Sequence, residues 1–213
     1  MAETEQTASV RASPISVRAL LALGAVAVVV YLADQLSKYW VVEHLNPSEP
    51  VAILGPVLHF FLVRNAGAAF SIASGSTWIF SIAAAAVTLF IVIVARKIRS
   101  NGWAILFGML LGGTTGNLTD RLFRSPGFGV GHVIDFIQVA GFPAVFNIAD
   151  SFIVASMGLF IILTSRGVGL NGLRTGRTSA KPKGATITGR TPLDDAQKEP
   201  QADSAAPKKP KES

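Results

Sequence analysis

The sequence contains no cysteine and only three histidines among its 213 residues. Without cysteine there can be no disulfide bond, no thiolate metal site and no cysteine nucleophile. The histidines form no HExxH motif, so nothing indicates a zinc site of that kind. Charged residues are also scarce, at 15% of the chain, whereas soluble domains contain about 25%.

The residues that are present indicate a membrane protein. Half of them are hydrophobic, and the mean hydropathy is +0.46. Four apolar stretches predict transmembrane helices, at about residues 17–41, 77–95, 103–119 and 146–165. The first stretch could instead be a cleavable signal peptide, but it continues into DQLSKYWVV without a small-residue cleavage site. We therefore interpret it as a retained span.

The segments around the spans divide the chain into three parts. Residues 1–16 are a short cytoplasmic lead, 17–166 form the membrane domain, and 167–213 are predicted to be a disordered basic cytoplasmic tail. Within the membrane domain, residues 43–75 or so are expected to be β-rich and outside the bilayer, because VLHFFLV at 57–63 is rich in β-branched and aromatic residues. The predicted fold class is an all-α polytopic membrane protein with four transmembrane helices and a small β-rich extracytoplasmic part.

The remaining connection, from Asp120 to Phe142, is expected to be polar and turn-rich. Basic residues fix the predicted orientation of the spans. Arg18, the cluster at 96–99 and the basic tail would all lie on one side of a four-span protein. The positive-inside rule therefore places both termini in the cytoplasm.

Three of the predicted spans carry a polar residue at the same depth. Asp34, Asn117 and Asp150 each lie about 24 to 27 Å along their helices from a basic residue at the inner end, at 1.5 Å per residue. Asn65 and Asp135 lie in the outer segments next to spans. Because independent helices have no reason to share this depth, we expect these side chains to meet near the outer surface.

Several of the polar residues have simpler explanations when they are taken singly. Asp34 and Lys38 are four apart on one helix, a spacing that favours an ion pair with a structural role. Asn65 alone could turn or cap the chain before the second span. Asp120 and Arg121 could form a local salt bridge or an interfacial anchor. Four glycines between 108 and 116 predict close helix packing.

Asp135 and Asp150 are the only acids between Asp120 and Asp194. They could form a salt bridge through Arg121. Alternatively, they could share one proton, since two carboxyl groups close together in a low-dielectric site cannot both ionise. The ionised member could then take a proton from water while the protonated one polarises a carbonyl. His132 stands three residues before Asp135, but with so few histidines we expect no metal.

Five ordered blocks of this sequence resemble the lipoprotein signal peptidase (signal peptidase II) family, bacterial aspartic proteases of the cytoplasmic membrane. Each block is weak alone, but together and in order they are specific. They are DQLSK at 34–38, NAGAAF at 65–70, GGTTGNLTDR at 112–121, VIDFI at 133–137 and FNIAD at 146–150.

The resemblance implies that Asp135 and Asp150 are catalytic and that the substrate is a prolipoprotein, cut immediately before a diacylglyceryl-modified cysteine. It implies a role in orienting substrate or the aspartates for Asn65, Asn117, Arg121 and Asn147. It implies structural support of the site by Asp34, Lys38, Gly116 and Asp120. Residues 51–70 would form a β-rich cradle over the active site. Hydrolysis would use water, with no metal and no organic cofactor.

The resemblance also implies a location in the bacterial cytoplasmic (inner) membrane, with the active site near the outer face. Membrane lipid would be the other partner; we expect a monomer and no nucleic acid. The loop 122–134 is longer than in compact members of the family, so its path stays open, and the tail is given no function.

Two other classes of protein remain as alternatives. A small proton-coupled transporter would carry acids at several depths, but here all six acids between residues 19 and 165 lie in or beyond the outer third. A structural subunit, whose polar cluster only ties helices together, would tolerate asparagine at 135 or 150 because amides also hydrogen-bond.

Overall fold

The computed structural model describes residues 16–47, 49–67 and 77–174, all within one compact unit that ends at Arg177. These residues form four α-helices and one four-stranded antiparallel sheet. In chain order the elements are α1 (Val17–His44), β1 (Val51–Leu54), β2 (Leu58–Asn65), α2 (Thr77–Ala95), α3 (Asn101–Phe123), β3 (Val133–Val139), β4 (Val145–Phe146) and α4 (Ile148–Ser165). The predicted lead up to residue 15, residues 68–70 of the NAGAAF block and the tail after 174 lie outside the described ranges.

The helices follow the predicted spans closely. α2 begins and ends where the apolar pattern does, whereas α1 and α3 are longer than predicted. α4 begins later than residue 146 because Val145 and Phe146 form β4 and Asn147 caps the helix. Three of the four helices, α1, α2 and α4, are long and apolar enough to cross a membrane. α3 is not among these three, and it carries Asn117, Asp120 and Arg121 in its C-terminal turns.

α3 occupies the centre of the helix bundle and packs against α1, α2 and α4. Glycine allows this close approach, as the spacing of glycines predicted. A Cβ atom at Gly112 would lie 2.6 Å from the carbonyl oxygen of Ala27 on α1, and one at Gly113 would lie 2.7 Å from that of Ala149 on α4. The backbone of α3 therefore sits directly against both neighbouring helices, and its polar C-terminal end is held in a fixed position.

The sheet has the strand order β1-β2-β3-β4, with all neighbours antiparallel. β2 confirms the strand predicted around 57–63. Because β2 and β3 are paired, Val63 stands opposite Asp135, and Asn65 stands opposite Val133. The sheet packs onto the C-terminal end of α1 through Val41, Leu62, Ile134 and Phe136.

The expectation of a turn-rich connection from Asp120 to Phe142 is wrong for two parts of that segment. α3 continues to Phe123, and VIDFIQV forms β3, whose first four residues are buried. The β-branched and aromatic residues of this strand favour extended structure, but the turn formers on either side masked so short a run. Turns form around Ser125 to Val130 and again at Ala140 and Gly141. The protein is therefore a helical bundle with a sheet built from two separate parts of the chain.

The segment after α4 is ordered beyond the predicted start of the tail at residue 167. Residues 167–174 turn back towards the N-terminal end of α3. The indole of Trp103 donates a 2.9 Å hydrogen bond to the carbonyl of Val168, and the backbone amides of Arg99 and Ser100 donate to the carbonyl of Leu170. This short segment thus joins the end of α4 to the connection between α2 and α3.

Candidate active site

The polar residues singled out from the sequence come together at one end of the bundle, near the C-terminal ends of α1 and α3 and the N-terminal end of α4. Asp135 lies on β3, and Asp150 lies in the first turn of α4. Asn117 and Arg121 come from α3, and Asn65 ends β2. The predicted meeting of these residues at one level is confirmed, and the strand β3 brings Asp135 into the group.

The FNIAD segment forms a capped helix start that holds Asp150. Asn147 is the N-cap residue of α4, and its side-chain oxygen accepts a 2.9 Å hydrogen bond from the backbone amide of Asp150. In return, the carboxylate of Asp150 accepts a 3.3 Å hydrogen bond from the backbone amide of Asn147. This reciprocal capping arrangement, together with the positive end of the helix dipole, stabilises a carboxylate at the third helical position.

Asp135 is only 2% exposed, and both of its oxygens accept hydrogen bonds from asparagine amides. Asn65 donates to one oxygen at 2.8 Å, and Asn147 donates to the other at 2.6 Å. The prediction that Asn65 turns the chain is also correct, because its side-chain oxygen accepts a 2.7 Å hydrogen bond from the backbone amide of Gly67. Asn65 therefore both turns the chain and holds the carboxylate of Asp135.

The amides of Asn117 and Asn147 join the two aspartates into one network. Asn117 donates a 2.8 Å hydrogen bond to Asp150, and its side-chain oxygen accepts one of 3.1 Å from Asn147. Asn147 contacts both aspartates, through its side chain on Asp135 and its backbone on Asp150. The two carboxylates are thus neighbours with fixed orientations.

Beneath this pair lies a fully buried ionic cluster centred on Lys38. Its ammonium group lies 2.8 Å from Asp34 and 2.8 Å from Asp120, and it donates a 2.9 Å hydrogen bond to Asn117. The ion pair between Asp34 and Lys38 is therefore confirmed. The predicted local salt bridge between Asp120 and Arg121 is wrong, since Asp120 pairs with Lys38 and with Arg124, whose Nε is 2.6 Å away.

The acids of this cluster anchor the two elements that carry the aspartates. Asp120 accepts a 3.2 Å hydrogen bond from the backbone amide of Ile134, next to Asp135. Asp34 accepts one of 3.0 Å from the amide of Ala149, next to Asp150. Gly116 makes room for the cluster, because a Cβ atom there would lie 2.5 Å from Oδ2 of Asp34. The four residues predicted to support the site all lie in this cluster.

Two members of the cluster were not singled out from the sequence. Gln35 donates to Asp34 at 3.0 Å and to the carbonyl oxygen of Gly116 at 3.1 Å. Arg124 neutralises part of the charge of Asp120. Gln35 belongs to the DQLSK block, so its place in that block was the available signal. Arg124 follows Asp120 by four residues on α3, a spacing at which ion pairs form.

Burial changes the acidity of Asp135. Removal of the carboxyl group from water and the nearby charge of Asp150 raise its pKa, while the hydrogen bonds from Asn65 and Asn147 and the charge of Lys38 lower it, and the net result is a pKa of about 6. Asp135 therefore holds a proton well above the pH at which an exposed aspartate loses it. Asp150 is less buried.

Arg121 lies beside the pair and is 8% exposed. Its guanidinium interacts electrostatically with Asp135, Asp120 and Asp150, and it stands over the ring of Phe80 with 5.3 Å to the ring centroid. Its Nη1 is buried and has no hydrogen-bond partner among the residues that the structure describes.

An apolar cavity of about 280 Å³ opens at Asp150. It is lined by Phe142, Phe146, Asp150, Ser151 and Val154. The rings of Phe142 and Phe146 pack edge to face, 6.0 Å apart. A carboxylate at the wall of an apolar cavity can act on a polar group of a molecule that is otherwise hydrophobic. Across the described ranges, no group of three His, Asp or Glu side chains is placed to hold a metal ion.

The structure also gives the path of the loop 122–134. The loop folds back on the end of α3, because Gly131 donates its amide to the carbonyl of Arg121 and His132 donates to that of Ser125. The hydroxyl of Ser81 on α2 donates a 2.6 Å hydrogen bond to the carbonyl of Gly129. The loop thus runs along α2 before it enters β3, and it delivers Asp135 to the site.

Comparisons with known proteins show which family this chain is similar to. The family model described as signal peptidase (SPase) II matches residues 26–166. A lipoprotein signal peptidase of Leifsonia xyli is 57% identical over 174 residues, which cover 79% of this chain and 81% of that protein. One from Streptomyces coelicolor is 50% identical over 155 residues, 73% of this chain and 76% of that protein. A solved bacterial membrane enzyme is similar in fold, with a TM-score of 0.60 and 26% identity over 71% of this chain and 96% of that chain.

Proposed function

Because this chain belongs to the signal peptidase II family, we propose that it is a membrane aspartic endopeptidase that removes the signal peptide from prolipoproteins. The bond cut would be the one before a diacylglyceryl-modified cysteine. The observation that carries this proposal is the bridge that Asn147 makes between Asp135 and Asp150, through its side chain to the first and its backbone to the second. Such a bridge keeps two carboxylates together at the wall of an apolar cavity.

The two aspartates take different parts in the reaction. Asp150 lines the cavity and would act as the base towards water. Asp135 is buried and its pKa is raised to about 6, so it would supply the proton of the pair. A pair of carboxyl groups that share one proton can provide an acid and a base at once.

Hydrolysis would then proceed through a tetrahedral intermediate. As the oxygen of water attacks the scissile carbonyl carbon, Asp150 takes a proton from that water. At the same time Asp135 gives its own proton to the carbonyl oxygen. Collapse of the intermediate returns that proton to Asp135 and breaks the carbon–nitrogen bond, while Asp150 gives its proton to the leaving amine. No acyl-enzyme forms, because water is the nucleophile.

The surrounding residues would orient these groups. Asn65, Asn117 and Asn147 fix the rotations of the two carboxylates by hydrogen bonds of 2.6 to 2.8 Å. Arg121 would use its guanidinium to hold a substrate carbonyl. The cluster of Asp34, Lys38 and Asp120, with Gly116 beside it, would support the site without touching the substrate. We propose no metal and no organic cofactor in this reaction.

The apolar cavity at Asp150 gives the substrate class a physical basis. Its walls of Phe142, Phe146 and Val154 suit a lipid-modified residue better than a polar peptide. Diacylglyceryl-modified prolipoproteins and membrane lipid would therefore be the partners, with no nucleic acid. We propose that the protein acts as a monomer.

For the membrane arrangement we propose four spans, with α3 as the fourth, between neighbours that are apolar enough to span by themselves. All six acids of the described ranges lie towards one end of the bundle, and the residues at its other end include Arg18, Arg96, Lys97 and Arg166. By the positive-inside rule, these positions support our proposal that both termini lie in the cytoplasm and the aspartates near the outer face of the bacterial inner membrane.

Cleavage of a diacylglyceryl-modified prolipoprotein peptide by the purified protein in detergent tests the proposal. The wild type would be compared with Asp135→Asn, Asp150→Asn and Glu43→Gln, the last an exposed acid outside the site. We expect cleavage before the cysteine by the wild type and Glu43→Gln alone. Activity that survives in either aspartate variant would rule out the paired mechanism, and an inactive wild type would favour the transporter or the structural subunit.

A further inference from the structure

We infer that Phe80 of α2 is a positioning residue for this reaction, and that it acts through Arg121. Its ring would hold the guanidinium beside the two aspartates but out of ion-pair contact, so that the guanidinium stays available to a substrate carbonyl. This inference rests on the proposed function and extends it to a residue outside the five sequence blocks.

The first observation is the contact between the two side chains. The guanidinium carbon of Arg121 lies 5.3 Å from the centroid of the Phe80 ring, within the range of a cation–π interaction. Arg121 is 8% exposed, whereas Phe80 is 42% exposed. The ring therefore serves as an outer wall against which a buried cation rests.

The second observation is that Arg121 forms no ion pair with another described residue. Asp135, Asp120 and Asp150 all interact with it electrostatically, and an arginine so placed would normally form a direct salt bridge. In the described ranges, the ion pairs of this region join Lys38 and Arg124 to Asp34 and Asp120 instead. A buried donor without a partner is unfavourable, and Nη1 of Arg121 has none within those ranges. That donor is therefore suited to an acceptor that arrives with the substrate.

The third observation is a glycine that the two side chains require. Gly67 has a φ of +89°, and a Cβ atom there would lie 2.7 Å from Cδ2 of Phe80 and 3.1 Å from Nη2 of Arg121. The amide of Gly67 donates to Asn65, which in turn donates to Asp135. The ring and the guanidinium thus pack against the stretch of backbone that orients one of the aspartates.

Together these contacts explain what α2 contributes to the site. The polar network described above comes from α1, α3, α4 and the sheet, and Phe80 of α2 reaches it through Arg121. With a smaller apolar residue at position 80, the guanidinium would lose its support. It could then swing onto Asp135 or Asp150, where it would occupy the oxygens that the reaction needs.

The test compares substitutions at Phe80 that keep or remove the aromatic face. We expect Phe80→Leu to lower kcat about threefold to thirtyfold, from the usual strength of a cation–π contact, with KM changed less than about twofold. Phe80→Tyr should stay near the wild type. Phe90→Leu is the matched control, because it makes the same change on the same helix about 15 Å away. Phe80→Met serves as a second variant if Phe80→Leu does not fold.

The pH profile gives a readout that a purely structural role would not change. The charged groups around the aspartate pair are Asp34 and Lys38 on α1 and Asp120, Arg121 and Arg124 on α3. A guanidinium that has moved onto the pair favours its ionised form, so the alkaline limb of kcat/KM should move to lower pH in Phe80→Leu and Phe80→Met only.

The outcomes separate this inference from the proposed function. If the wild type and Phe90→Leu cleave the lipidated peptide while Phe80→Leu matches them in kcat and pH profile, the positioning role is refuted and the peptidase stands. Equal losses in Phe80→Leu and Phe80→Tyr, with lower melting temperatures and no change of pH profile, would also refute it. If the wild type does not cleave, the proposed function itself fails.

Discussion

The side-chain amide of Asn147 donates a 2.6 Å hydrogen bond to the carboxylate of Asp135, twelve residues earlier in the chain. The same residue is the N-cap of α4, and its side-chain oxygen accepts a hydrogen bond from the backbone amide of Asp150. One asparagine therefore starts the helix that carries one aspartate and orients the other. Helix capping and the geometry of the site depend on the same side chain, and substitutions can separate the two roles.

At position 147, serine and alanine should have different effects. Asn147→Ser keeps a capping oxygen but cannot reach Asp135 as an amide does, so we expect near-normal stability and at least about a hundredfold loss of kcat/KM. Asn147→Ala should lose activity similarly and also about 1 kcal/mol of stability, from the lost cap. Thermal unfolding in detergent and peptide cleavage measure the two effects. Normal activity in Asn147→Ser would show that the bridge to Asp135 is dispensable.

Lys38 should be the residue on which the stability of the site depends most. Lys38→Met removes the cation and leaves Asp34 and Asp120 buried with reduced compensation. Breaking a buried pair in this way costs about 3 to 5 kcal/mol. Lys97→Met, at an exposed lysine, should change the melting temperature little. If both variants melt alike, the buried cluster is not a major source of stability.

How far the sequence predicted this structure depended on the type of signal. The apolar runs gave α2 to the residue and the other helices to within a few residues, since a continuous hydrophobic stretch is a strong pattern. The separation between Asp34 or Asn117 and the inner basic residues placed those side chains at one depth. That argument uses only helix rise, and the structure confirms that Asp34 and Asn117 meet, since both contact Lys38.

The sequence did not predict the short strand β3 or the contacts between residues that lie far apart in the chain. β3 is seven residues long and lies between turn formers, so local pattern could not distinguish it from a loop. Asp120 pairs with Lys38 from another helix rather than with its neighbour Arg121, and only the packing of α1 on α3 decides this. The contact of Phe80 with Arg121 likewise depends on packing, here of α2 on α3, and no local sequence pattern indicates it.

The glycines of α3 should tolerate no side chain where α1 and α4 cross it. Gly112→Ala would place a methyl group 2.6 Å from the carbonyl oxygen of Ala27, and overpacking of this kind costs about 1 to 3 kcal/mol. Gly158→Ala on α4 is the matched control. No heavy atom lies within 4 Å of the new methyl group there, so we expect equal or slightly higher stability. Similar melting temperatures for the two variants would mean that α3 can shift away from α1.

The pH dependence of cleavage should report the proton on Asp135. Burial raises the pKa of this carboxyl to about 6, so the acid is lost, and kcat/KM falls, as the pH rises through about 6. The stability of the fold changes with pH in the same direction. The folded state binds a proton that the unfolded chain has already released, so the contribution of Asp135 to the free energy of unfolding declines between about pH 4 and pH 6.

Asn65 allows the direction of this effect to be tested. Its amide donates to the carboxylate of Asp135 and so lowers the pKa of that group. In Asn65→Ala the ionised form loses this hydrogen bond, the pKa rises, and the alkaline limb of kcat/KM should move to higher pH while the maximum falls. Asn46→Ala, at an exposed asparagine outside the site, should leave the profile unchanged. A limb that moves to lower pH in Asn65→Ala would mean that the proton lost in this limb does not come from Asp135, and that the acid and base roles of the two aspartates must be exchanged.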